Sequence, residues 1–271
     1  MRERKDSTDE IGDERSKLST FLKVCGIDHV KAKEKVLSVV GSSKDIDADI
    51  SEAKSNGVYC YKGITLIRLT AHSTRDLPAK KVLKQPLKDI KAEFGEKIFA
   101  IDEDLPLEEV VVDLLKTEGL TITTAESATA GMFASRLVNV AGASQVFKEG
   151  FITYSNKAKR KYLGVKKGSL DKFTAVSEQV AKEMAKGACQ ATKADCSIAI
   201  TGFAGPESDP NIPVGTVYIG CNLKKNTVVK EYHFTGNRQE IRERAVTEAF
   251  ALLRRCLLEF FSMVNFGDKR K

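Results

Sequence analysis

The segment Ile198-Ala199-Ile200-Thr201 is a near-continuous apolar run that ends at Gly202. A strand wetted on one face alternates apolar and polar residues, so this run reads as a strand of a sheet buried on both faces. Such a sheet needs helices on each side, and the surrounding sequence supplies them. Helical patterns are read over 107–117, 129–140, 156–163, 177–193 and 238–262. Strands are read over 120–124, 150–154, 198–201, 215–222 and 227–234, the last two forming a hairpin across Lys224-Lys225-Asn226. In the first helix Leu107, Val110, Val111, Leu114 and Leu115 share one stripe, and Gly119 ends it. Ser177 is placed to cap the helix that follows it. Strands alternating with helices predict a layered α/β/α domain with a mixed sheet, over residues 105–265.

The preceding residues have a different texture. Residues 1–15 are charged and read as a disordered tail, and 16–104 as a small α+β domain. Within it, 16–52 reads as helical, 58–70 as strand with a hairpin turn at Lys62-Gly63, 78–94 as a helix interrupted near Pro86, and 97–101 as a strand. The acidic stretch Asp102-Glu103-Asp104-Leu105-Pro106 marks the boundary, and 266–271 is a basic tail.

Composition excludes several classes. No apolar run reaches the length of a membrane span, and Met1-Arg2-Glu3-Arg4-Lys5-Asp6 lacks the apolar centre of a signal peptide, so a cytoplasmic protein without a membrane partner is expected. Cysteines 25, 60, 189, 196, 221 and 256 form no CxxC pair, and His29, His72 and His233 lie far apart. Free buried thiols are expected, with no disulfide framework, structural metal or cofactor. The net charge of +7 is dispersed apart from Lys269-Arg270-Lys271. Nucleic acid is therefore not expected as a partner, whereas a homo-oligomer is compatible with the sequence.

Three loops carry candidate chemistry, and each follows a strand, where α/β sheets gather their ligands. The first, Thr123 to Gly131, opens a helix and sets Ser127 at its mouth, where unpaired amides stabilise anions. In the second, Gly150 to Lys159, a lysine can serve as general base if its pKa falls toward neutrality. Burial, the like charges of Lys157, Arg160 and Lys161, and the helix dipole are the available causes. The third, Thr201-Gly202-Phe203-Ala204-Gly205-Pro206, is a tight turn whose amides can approach a ligand closely.

Taken together, Thr-Ala-Glu-Ser at 124–127, Gly-Phe-Ile-Thr-Tyr-Ser-Asn-Lys-Ala-Lys at 150–159 and Ala-Val-Ser-Glu at 175–178 resemble the C-terminal domain of the CinA family. So do Ile-Thr-Gly-Phe-Ala-Gly-Pro at 200–206, Pro-Val-Gly-Thr-Val at 213–217 and Gly-Asn-Arg-Gln-Glu-Ile-Arg at 236–242. Residues 16–100, notably Ile67 to Ala71 and Glu93-Phe94-Gly95, are similar to the small KH-type middle domain of that family. Gly41-Ser42-Ser43-Lys44 is not the GxxG of an RNA-clamping loop.

The resemblance implies hydrolysis of the carboxamide of nicotinamide mononucleotide, a phosphorylated small-molecule substrate. It implies Ser127 as nucleophile, Lys159 as base and Tyr154 as a relaying or positioning group. Amides at 127–131 or 202–205 would hold the oxyanion. Glu126, Thr129, Gly131, Asn156, Thr201, Gly202, Ala204 and Gly205 are implied as ligand-binding, with Arg242 and Arg238 as phosphate anchors. Two stretches depart from the family pattern. Ala128 and Ala130 stand where it usually has Cys and Gly, and Glu207-Ser208-Asp209 where glycines usually continue. The methyl of Ala130 is expected to crowd the ligand or restrain the backbone. A nucleotide-binding or regulatory protein of the same fold, weak in catalysis, is the alternative.

Overall fold

The computed structural model describes residues 16–41, 43–53 and 62–268, and no side chains of 263–268. The expected N-terminal tail, Cys60, residues 58–61 and 269–271 of the basic tail lie outside the described residues. Among those described, no helix is long and apolar enough to cross a membrane.

The first unit runs β1 (Lys17–Val24), α1 (His29–Val40), β2 (Ile46–Glu52), β3 (Thr65–His72), α2 (Ala79–Phe94) and β4 (Ile98–Ile101). Its sheet has the order β2-β3-β1-β4, antiparallel throughout, which is a split βαβ arrangement. The helical reading of 16–52 is corrected at both ends, because β1 and β2 flank a single helix. Thr20, Leu22 and Val24 face inward at alternate positions, a period of two that the adjoining Phe21 disguised. Asp28 caps α1 by accepting from the amides of Val30 and Lys31, and Gly41 ends it at φ 62°. Nor does Pro86 interrupt α2. Leu83, Ile90 and Phe94 are buried on both sides of it. Burying three such side chains contributes about 1.5–3 kcal/mol each, against about 3 kcal/mol for one internal proline.

The second unit contains α3 (Leu107–Thr117), β5 (Ile122–Glu126), α4 (Met132–Val138), β6 (Phe147–Ile152), α5 (Asn156–Leu163), α6 (Lys167–Phe173), α7 (Glu178–Thr192), β7 (Cys196–Gly202), β8 (Thr216–Leu223), β9 (Asn226–His233) and α8 (Arg238–Asp268). The sheet order is β6-β5-β7-β8-β9. β5 runs parallel to β6 and β7, while β8 and β9 are antiparallel additions, so the sheet is mixed as expected. Ile122, Ile198, Ile200 and Ile219 point to one face, where α3, α4 and α8 supply Leu115, Phe133 and Phe250. Ala125 and Ala199 point to the other, beneath Leu163, Val180 and Met184 of α5 and α7. Small residues on that face let α7 lie close. At Gly187 the helix crosses α5 so tightly that a Cβ would stand 1.9 Å from the carbonyl oxygen of Leu163. The short α6 had no pattern to betray it, since Ser169 and Leu170 are its only buried residues.

A buried ion pair ties three helices on the first face. Arg136 of α4 donates from Nε and Nη2 to the Glu108 carboxylate of α3 at 3.1 and 2.9 Å, and from Nη1 to Thr247 of α8 at 2.9 Å. Its guanidinium also lies 5.1 Å from the centre of the Phe250 ring. Removing one partner leaves the other charge buried alone, so Arg136→Ala is expected to cost roughly 3–5 kcal/mol. Urea unfolding measures this, and a loss below about 1 kcal/mol, the scale of an exposed pair, would contradict the assignment.

Candidate active site

The parallel centre of the sheet ends where β5 and β7 deliver their loops to the same side. The backbone of Ser127 still belongs to that ladder, its amide donating to Ile200 O at 2.9 Å. The residue is buried, with 8% of its surface exposed. Immediately after it the chain turns sharply, with Ala130 at φ 49° and Gly131 at φ 93°, and α4 starts at Met132 rather than at 129.

Glu126 shapes this turn. Its fully buried carboxylate accepts from Thr129 Oγ1 at 2.7 Å and from the amides of Gly131, Phe133 and Ala134 at 3.0–3.1 Å. An anion thus neutralises the open amides at the start of α4. Those amides are no longer available to a substrate, and Glu126, Thr129 and Gly131 serve the loop instead of the cavity. Arg242 holds the same loop from outside. It donates from Nε to Ala128 O at 3.0 Å and from Nη2 to Thr129 O at 3.1 Å. The expected phosphate anchor is therefore corrected, because two faces of its guanidinium are committed to backbone carbonyls.

Lys159 arrives from α5, which Ser155 caps by accepting from the Ala158 amide at 3.1 Å. Only 1% of the lysine is exposed. Its Nζ lies 2.8 Å from Ser127 Oγ, 2.8 Å from Thr153 O and 3.4 Å from Tyr154 O. Burial pushes its pKa down from the usual 10.5 to about 8. The expected contribution of like charges is not part of this shift, since Lys157, Arg160 and Lys161 all point to solvent. Asn156 is exposed as well and stands apart from the cavity.

The third loop closes the other side. Thr201 donates to Ala175 O at 2.8 Å, and the amides of Phe203 and Gly215 are bonded to Thr216 O and Phe203 O. Arg238, in the first turn of α8, donates from Nη1 to Gly205 O and from Nη2 to the Tyr154 hydroxyl at 3.4 Å. The three loops enclose a cavity of about 740 Å³. Ser127, Tyr154, Lys159, Thr201, Gly202, Ala204, Gly205 and Arg238, all of them singled out from the sequence, line it. Ala175, Val176 and Phe203 also line it without having been singled out, although 175–178 was among the recognised stretches. Glu207 and Asp209 stand in the same wall.

Among the described residues, the amides of Ala128, Ala204 and Gly205 have no acceptor, so they remain to receive an oxyanion. A serine oxygen against a buried, readily neutralised lysine, with open amides beside it, is suited to acyl transfer.

Ala130 is exposed and outside the cavity wall, so its methyl restrains the backbone and does not crowd a ligand. A left-handed alanine costs about 1–2 kcal/mol, while glycine adds about 0.4–1 kcal/mol of freedom to the unfolded chain. Ala130→Gly is expected to leave stability unchanged or raise it by up to about 1 kcal/mol, with the Michaelis constant unaltered. Thermal unfolding and steady-state kinetics check both halves. A stability loss of that size would show that residue 130 prefers a helical backbone.

Residues 104–257 match the family model described as the CinA C-terminal domain. A CinA-like protein of Kosmotoga olearia is 42% identical over 241 residues, covering 89% of this chain and 56% of its own length. The chain thus spans about half the length of the curated relatives it matches. A CinA superfamily protein from Klebsiella pneumoniae matches in structure with a TM-score of 0.56 and 35% identity, over 56% of this chain and 96% of its own. A competence or damage-inducible protein from Enterobacter asburiae does so with a TM-score of 0.55 and 37% identity, over the same shares. The chain belongs to the CinA family.

Proposed function

We propose that this protein is an amidohydrolase that converts nicotinamide mononucleotide to nicotinate mononucleotide and ammonia. The observation that carries the reading is the 2.8 Å contact between Ser127 Oγ and a lysine whose pKa lies near 8. A neutral amine has two N–H groups and one lone pair. With the N–H groups directed to Thr153 O and Tyr154 O, the lone pair faces the Ser127 hydroxyl.

Ser127 Oγ then attacks the carboxamide carbon as its proton passes to Lys159. The negative charge that develops on the carboxamide oxygen is received by the open amides of Ala128, Ala204 and Gly205. Collapse breaks the carbon–nitrogen bond, and Lys159 returns the proton to the departing ammonia. Water, deprotonated by the same lysine, hydrolyses the acyl ester and releases the carboxylate and the serine. The Tyr154 hydroxyl meets Arg238 at the mouth and acts as a positioning group, leaving proton transfer to Lys159 alone. Arg238, held between Gly205 O and Tyr154, is the arginine presented to a substrate phosphate.

A nucleotide-binding protein without turnover is the second reading. What favours weak turnover is the presence of Glu207 and Asp209 in the cavity wall, where two carboxylates disfavour a phosphorylated substrate. Ammonia release from nicotinamide mononucleotide by the purified protein separates the two.

The catalytic pair gives a pH test. Only neutral Lys159 accepts a proton, so activity should fall about tenfold per pH unit below about 8 and level off above it. Ser127→Ala and Lys159→Met should each remove turnover in a folded protein. Lys157→Met, on the exposed side of α5, should keep both rate and pH limb, and equal losses at 157 and 159 would defeat the assignment.

Arg238 and Arg242 make opposite predictions. Arg238→Ala should raise the Michaelis constant for the mononucleotide about ten- to a hundredfold, as for a charged hydrogen bond of roughly 1.5–3 kcal/mol, and leave the riboside nearly unaffected. Arg242→Ala should lower the turnover number for both substrates alike, because it loosens the loop that carries Ser127. Equal effects of Arg238→Ala on mononucleotide and riboside would exclude a phosphate contact.

A further inference from the structure

A second cavity, of about 540 Å³, lies between the small unit and the outer flank of α8, away from Ser127. Glu248, Arg254 and Arg255 of α8, Tyr232 of β9 and Lys97 and Lys230 line it. Two of its polar groups are not fully satisfied within the protein. Arg254 donates from Nη1 to Glu96 O and from Nη2 to Ile98 O at 3.2 Å, yet its Nε is buried with no partner. The Glu248 carboxylate has no hydrogen bond or ion pair among the described residues. Of the other acids nearby, Glu93 is paired with Lys35 and Glu231 with His233, while Glu96 is exposed at the rim. An unpaired carboxylate on the wall of a cavity of this size, beside an arginine with an unsatisfied nitrogen, is the ordinary mark of a ligand site.

The groups also specify what fits. An ionised carboxylate offers two acceptors side by side and no donor. It suits a ring edge with two adjacent N–H groups. Tyr232, partly buried and stacked on Phe234 at 5.5 Å, borders the same space with an aromatic surface. Glu248 and Arg255 are two helical turns apart, a rise of about 10 Å, comparable with the reach of a mononucleotide from base edge to phosphate. Lys97, Lys230 and Arg255 supply positive charge to the lining, Arg255 with Glu259 of the same helix 3.9 Å from its Nε and its two terminal nitrogens unengaged by that pair. We propose that this cavity is a second ligand site, taking a small anion that also carries paired N–H donors, the chemistry of a guanine nucleotide. The site is separate from the proposed amidase cavity and does not rest on that activity. Burial raises the Glu248 pKa to about 7, with Arg255 drawing it back, so the ionised form that such a base needs grows through neutral pH.

The probe is guanosine monophosphate, titrated calorimetrically into the intact chain. One equivalent should bind, more tightly at pH 8 than at pH 6. Adenosine monophosphate and inorganic phosphate should bind at least tenfold more weakly. Arg255→Ala, a substitution at an accessible position that leaves the fold undisturbed, should weaken binding at least tenfold, as should Glu248→Leu. Arg238→Ala, in the other cavity, should not change it. The proposal is overturned if no heat is seen, if adenosine monophosphate or phosphate binds equally well, or if Arg238→Ala removes binding while Arg255→Ala spares it.

Discussion

Burying one amine organises the half of this molecule that holds the candidate site. An ammonium group withdrawn from water must find acceptors or lose its proton. Lys159 is given three oxygens, two of them carbonyls at the end of β6 and the third the Ser127 hydroxyl. For those oxygens to converge, β5 and β6 must end in register, and the Thr153 amide bonded to Glu126 O fixes that register at 2.8 Å. The loop after β5 must also turn at once, because a longer one would carry Ser127 out of reach. Glu126 and Arg242 enforce the turn from its two sides, one by gathering amides and the other by gathering carbonyls. None of these residues needs to touch substrate for the serine and lysine to meet.

Legibility in the sequence followed the kind of signal each residue leaves. A helix with a full apolar stripe was read to the residue at Leu107–Thr117, and the polar Asn156–Leu163 was read from its Ser155 cap. The first strand was lost because Phe21 sits between inward Thr20 and Leu22 and blurs a period of two. Ser127 and Lys159 were recognisable from their motifs, but motifs name residues without saying which atoms face the ligand. Glu126 and Arg242 show the difference. Both are charged, both hold the loop that carries Ser127, and both spend their charge on the backbone. Such a role depends on which amides and carbonyls a turn leaves open, and that is settled only when Ala130 and Gly131 adopt positive φ.

Each unit has its own sheet. The two sheets do not have wholly separate cores. Cys25, Ile64, Phe99 and Ala100 of the small unit share one core with Leu252, Leu253 and Cys256 of α8. Arg254 reaches across to the carbonyls of Glu96 and Ile98, and Arg244 lies 3.3 Å from the Glu52 carboxylate. The first turn of the same helix carries Arg238 and Arg242.

Shared ownership of α8 limits how these proteins can be recombined. The match to the solved relatives from Klebsiella and Enterobacter takes in 96% of their length but only 56% of this chain, too little to hold both units. Grafting the small unit onto such a protein by joining chains near residue 104 would set a sheet edge against a helix never shaped to receive it. The transferable piece is discontinuous, made of the first hundred or so residues together with the outer flank of α8 more than a hundred positions later. A chimaera that respects the packing must move both at once, although nothing in the linear order of the chain joins them.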